Sequence, residues 1–240
     1  MASLGEDRSE FQTETETHLS DQATQSRRGP RVDVQVSFNR PTHSYSQNEP
    51  PRILITATSR AQHPITLYTW RRPLDPKGAL TNNGYIITDL TTGNLVKTTK
   101  IMINRGPVMR VRGSSDDQFF LTLQPNDPVQ LSTGFGRGGG GIKPDPRAVV
   151  ERGWERDEHG NERKIRRSAH ATGVDGLEPG HTYSVGLNME ALGRCWWAPA
   201  TRDEILVDHK REGSYVQDYP WNTETPLDFR VKEATMNVLQ

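Results

Sequence analysis

The chain has 240 residues, of which 32% are apolar, and its 30 basic side chains balance 30 acidic ones. Balanced charge sets up no global field that would hold nucleic acid or an anionic membrane. Cys195 is the only cysteine, so no intramolecular disulfide staples the fold.

The opening residues, Met1 to Glu10, lack the basic start and apolar stretch of a secretory signal. No apolar run approaches the roughly 20 residues that span a bilayer. A soluble cytoplasmic protein is expected, with no membrane and no nucleic-acid partner. Residues 1–30 are rich in Glu, Thr, Ser and Gln and poor in apolar positions. Such a segment cannot offset its ordering entropy, and it reads as a disordered tail.

Strands begin at Arg31. Val32, Val34, Val36 and Phe38 alternate with Asp33, Gln35 and Ser37, a period of two that puts one set of side chains on each face of a strand. A second strand is read over 53–58. After the turn at His63-Pro64 a third runs over 65–70, with Ile65, Leu67 and Thr69 on one face and Tyr68 and Trp70 on the other. Strands are then expected over 85–89, 95–98, 100–103, 119–123 and 129–131, with Thr91-Thr92-Gly93-Asn94 as a hairpin turn. Three more are read over 181–189, 204–207 and 229–232.

Between them lies a different kind of sequence. Six glycines fall between Gly134 and Gly141, and 143–167 is dominated by charges of both signs. The stretch 134–173 reads as a long flexible insertion in one loop. Short strands at this spacing, without a long amphipathic helix, predict an all-β fold: one antiparallel immunoglobulin-like β-sandwich over 31–240.

Few residues promise chemistry. Gly134-Phe135-Gly136-Arg137-Gly138-Gly139 matches the dinucleotide pattern by letter, but Pro144 and Pro146 follow where a helix should start. Arg137 and the run Arg163-Lys164-Ile165-Arg166-Arg167 lack the interleaved aromatics of a single-strand binder. The seven histidines show no H-x-x-x-H spacing, so neither a metal nor a cofactor is expected. Asp203, Glu204, Asp208 and His209 are titratable, but alternation along a 204–207 strand would spread them over two faces. Cys195 beside Trp196 and Trp197 reads as core packing. Adjacent strand residues face opposite ways, so the two rings cannot join the same core, and a partly exposed tryptophan there is a candidate anchor.

The segments around Pro64-Ile65-Thr66-Leu67-Tyr68-Thr69-Trp70, Pro73-Leu74-Asp75, Ile87-Thr88-Asp89-Leu90-Thr91-Thr92-Gly93 and Gly176-Leu177-Glu178-Pro179-Gly180-His181 resemble uncharacterised fungal proteins with an immunoglobulin-like sandwich. They are more distantly similar to the sandwich pro-domains of deuterolysin-type metalloproteases. The resemblance implies a fold and, through the pro-domains, a partner polypeptide. There is no His-Glu-x-x-His, so no protease residue carries over.

A non-enzymatic binding module is therefore expected, taking a protein partner or a small-molecule ligand. Trp70, Arg71, Arg72, Trp196 and Trp197 are its candidate contacts, because Trp and Arg are favoured anchors. The alternative is a cofactor-free enzyme, an isomerase or cyclase acting on a fungal metabolite in a pocket of the sandwich.

Overall fold

In the computed structural model, which describes residues 29–137, 143–152, 154–156, 159–164 and 170–240, strand β1 (Arg31–Phe38) keeps the period of two seen in its sequence. Val32, Val34 and Val36 are buried, while Arg31 and Gln35 face solvent. Antiparallel to β1 lies β3 (Arg52–Ser59), which buries Ile53, Ile55 and Ala57, and β7 (Val129–Gly134) pairs with β3. The other edge of β1 takes β12 (Asp228–Lys232) in parallel, giving the order β12-β1-β3-β7.

A second sheet has the order β2-β13-β10-β5, from β2 (Thr42–His43), β13 (Ala234–Val238), β10 (Thr182–Leu187) and β5 (Tyr85–Asp89). The two sheets meet face to face. Val34, Ile53 and Ile55 from the first pack in one core with Ile87, Tyr183, Val185 and Met236 from the second. Each fully buried aliphatic side chain of this kind contributes about 1.5–3 kcal/mol of transfer free energy. The architecture is an all-β, sandwich-like fold, with two parallel pairings (β1 with β12, β2 with β13) among antiparallel ones.

A third sheet, β11-β4-β6, is built from β11 (Trp196–Ala198), β4 (Ile65–Tyr68) and β6 (Phe120–Leu123). Both of its faces are covered. Trp197, Leu67 and Leu121 stand in one cross-strand row against the main core, and Trp196, Tyr68 and Phe120 form the neighbouring row against a second cluster. Ile205, Val216 and Trp221 close that second cluster. Thr66, also fully buried, sits on the second face and is satisfied by Thr122 Oγ1 at 2.7 Å and by donating to Ala200 O at 2.7 Å.

Among the described residues four short α-helices punctuate the strands: α1 (Pro76–Ala79), α2 (Arg147–Arg152), α3 (Met189–Gly193) and α4 (Arg202–Ile205). The last replaces the strand expected over 204–207. Thr201 and Glu204 form a reciprocal capping box, a helix-start signal that overrides the short apolar run behind it. The strands expected over 95–98 and 100–103 are reduced to single bridges: Leu95 touches the β5 edge at Thr88, Thr98 pairs with Ala171 and Lys100 with Asn82, so the segment crosses three neighbours and follows none of them far enough to form a ladder. Strands β2, β11 and β13 go beyond the elements expected from sequence. Within 134–173, Phe135 is fully buried in the main core, and a hairpin forms from β8 (Trp154–Arg156) and β9 (Glu162–Lys164). The tail expected over 1–30 falls, apart from Gly29 and Pro30, outside the described residues.

Candidate functional site

Immediately after β4 the chain turns sharply, and the turn builds one wall of a cleft. Arg71 has φ of +54°, a left-handed conformation that costs a non-glycine residue about 1–2 kcal/mol. Three contacts hold it there. The Arg71 N–H donates to Asp75 Oδ2 at 3.0 Å, and its carbonyl accepts from Asn82 Nδ2 at 2.7 Å. Its guanidinium donates through Nη2 to the carbonyls of Thr81 and Ile101. Asp75 also caps α1, with Oδ1 accepting from Gly78 N–H at 3.1 Å. A Cβ at Gly78 would lie 2.2 Å from Asp75 Oδ2, so only glycine lets the carboxylate reach both backbone donors.

The opposite wall comes from the end of β7 and from the segment around Pro50. A cleft of about 810 Å³ lies between the walls, with Trp70, Arg71, Lys77 and Phe119 on one side and Arg52 and Arg137 on the other. The Trp70 and Phe119 rings meet edge-on, with centroids 6.5 Å apart. The Arg105 guanidinium lies 5.2 Å from the Trp70 ring centre and is ion-paired with Asp116. Arg71 Nε and the Nε and Nη2 atoms of Arg137 are buried with no hydrogen-bond partner among the described residues. Asp175 Oδ2 lies 3.4 Å from Arg137 Nε as an ion pair. Ile103 lines the cleft, and it and its chain neighbours Ile101 and Met102 are exposed, Met102 at 91%.

The charge of the cleft is lopsided. Arg52, Arg71, Lys77 and Arg137 line it against Glu49 and Asp75. Asp75 is committed to two backbone N–H groups. Even with Asp175 behind Arg137 the balance is cationic, in a chain whose formal charge is zero. Among the described residues no histidine or cysteine lines the cleft, so none of them puts an imidazole or thiol there for proton transfer or nucleophilic attack.

The sequence candidates separate. Trp70 and Arg71 line the cleft; Arg72 does not, and its N–H closes a turn on Thr69 O at 2.8 Å. Trp197 is buried in the main core with Nε1 donating to Thr225 O at 2.8 Å, while Trp196 is half-buried against the second cluster. Arg52, Lys77 and Arg137 join the cleft without any local sequence signal that marks them as contacts. Of the glycine-rich pattern, Gly134 and Gly136 line the cleft, whereas Gly138 and Gly139 lie outside the described residues.

Other titratable groups have structural partners. Asp203 and Asp208 converge on Arg112 at the surface. Asp89 Oδ2 meets His181 Nδ1 at 2.8 Å and Oδ1 accepts the N–H groups of Thr91 and Thr92, fixing the expected hairpin turn. Burial pushes the Cys195 thiol up to about 12, which keeps it protonated and unreactive. Among the described residues no three His, Cys, Asp or Glu side chains gather as a metal site requires, and no helix is long and apolar enough to cross a membrane. No protein-family model matches the sequence, and no curated protein is significantly similar to it.

Proposed function

We propose that the protein is a non-enzymatic binding module that takes a small molecule in the cleft between the Trp70–Thr81 segment and β7. The carrying observation is the combination of an aromatic wall with partly unpaired arginines in a cleft of about 810 Å³, within the 300–1,000 Å³ range of ligand pockets. Arg71 adds to this. A strained backbone held by three separate contacts is characteristic of residues whose position is functional. A cofactor-free enzyme would need a positioned acid or base; Asp75 is already consumed by the α1 cap, and Glu49, the other carboxylate of the cleft, is exposed. A polypeptide partner, as the resemblance to protease pro-domains implies, is the second reading; the exposed trio Ile101, Met102 and Ile103 favours it. The cytoplasm is the compartment assigned, on the support of the lone buried thiol of Cys195.

Native mass spectrometry of protein purified gently from its own cells tests the reading. A small bound mass, lost on Trp70→Ala with the melting temperature preserved, is the expected result. A stoichiometric polypeptide and no small molecule would replace it with the second reading.

A further inference from the structure

The cleft also carries information about the charge of what it holds. Its cations are arranged unevenly with respect to protein partners. Arg52 spends one donor on Ser132 Oγ at 2.8 Å, and Arg71 spends Nη2 on two carbonyls. Among the described residues Arg137 makes no hydrogen bond through Nε or Nη2, although Asp175 lies 3.4 Å from Nε. A guanidinium is a rigid fork of five donors that a carboxylate, sulfonate or phosphate can satisfy with two parallel bonds. On Arg137 the Nε and Nη2 edge is closed off from solvent beside Asp175, which leaves its positive charge and its Nη1 group to meet a bound anion. Trp70 and Phe119 add a flat apolar surface beside these cations, suited to a planar or aliphatic body rather than to a bare ion.

We infer that the cleft selects a small organic anion, its acidic group taken by Arg137 with Arg71 and its apolar body lying on Trp70 and Phe119. This rests on the cleft being the binding site proposed above. Arg137 is the specificity residue of the pair. Arg71 is already tied to the carbonyls of Thr81 and Ile101 and adds charge and shape more than new hydrogen bonds. A neutral molecule of the same shape would forgo the charge-assisted contact with Arg137 and would bind more weakly for that reason.

The test uses two probes of similar shape, the anionic dye anilinonaphthalene sulfonate and the neutral N-phenylnaphthylamine, titrated by fluorescence into the full-length protein. One site is expected for the anion, with affinity roughly ten-fold or more above that of the neutral dye, the worth of a charge-assisted contact. Arg137→Met should remove that advantage and leave the neutral dye unchanged. Added salt should weaken the anion alone in the unmodified protein, a readout that survives if Arg137→Met does not fold. Equal affinity for the two dyes, or anion binding indifferent to Arg137→Met and to salt, overturns the inference while leaving a ligand-binding cleft in place. Binding of neither dye, with no effect of Trp70→Ala on any ligand retained from cells, overturns both.

Discussion

His43 is fully buried on β2 with neither ring nitrogen hydrogen-bonded, packed edge-on against Tyr45 at 4.8 Å. Burial, with a smaller push from Arg40, lowers its pKa from 6.5 to about 4. The folded chain therefore holds a neutral imidazole where the unfolded chain would take a proton. Its contribution to stability is complete above 6.5 and is lost as pH falls towards 4. Melting temperature measured across that window should decline on acidification, and His43→Leu should flatten the decline. Arg110 is buried by a different logic. Its guanidinium donates to the carbonyls of Ile205, Gly213 and Tyr215 and lies 4.9 Å from the Tyr219 ring centre. Arg110→Met would leave the Ile205 and Gly213 carbonyls without their donor, while Tyr215 O keeps the Asp218 N–H, at a cost of about 3 kcal/mol in denaturant unfolding. A variant as stable as the parent would show that water replaces the arginine at no loss.

Strand β11 places two adjacent tryptophans in two different cores, and this follows from the period of two alone. That alternation is legible in the amino-acid sequence. The second cluster that receives Trp196 is not, since it is assembled from residues as far apart as Tyr68, Phe120, Ile205 and Trp221. Trp197→Ala should cost about 3–5 kcal/mol, the usual range for emptying a core aromatic site, and Trp196→Ala less, because Trp196 is only half-buried. Urea unfolding of both variants orders them. Helix α1 gives a prediction of opposite sign to propensity. Gly78→Ala improves intrinsic helix preference by about 1 kcal/mol. The added Cβ would nevertheless strike the Asp75 carboxylate at 2.2 Å, so a lower melting temperature is expected. Where sequence reading fails among the elements, a local signal is outweighed or a neighbour is missing. The Thr201–Glu204 capping box takes Ile205 into a helix. Ile101 and Ile103 have strand-forming side chains but no strand beside them, and they remain exposed.

Across the whole molecule, the sandwich is legible in the sequence because its central strands bury one face each, as Val32, Val34, Val36, Ile53 and Ile55 do. Half of the cleft is legible too, since Trp70 and Arg71 combine two favoured anchor types in neighbouring positions. The other half is not. Arg137 and Arg52 reach the cleft only because β7 pairs with β3, joining Gly134 to Arg52 in register, and no local pattern in either segment encodes that meeting. The glycines at 134 and 136 suggest phosphate binding by letter, whereas their place is beside Pro50 at the end of a strand; a Cβ at Gly136 would come within 2.9 Å of the proline ring. The central claim is that this cleft, and not the exposed surface around Leu90 and Leu95, is where the protein binds. Hydrogen–deuterium exchange with and without anilinonaphthalene sulfonate reads it directly. Slower exchange in peptides covering 70–81 and 132–137 is the predicted result, and slowing confined to the 89–95 turn, with 70–81 and 132–137 unchanged, would contradict it.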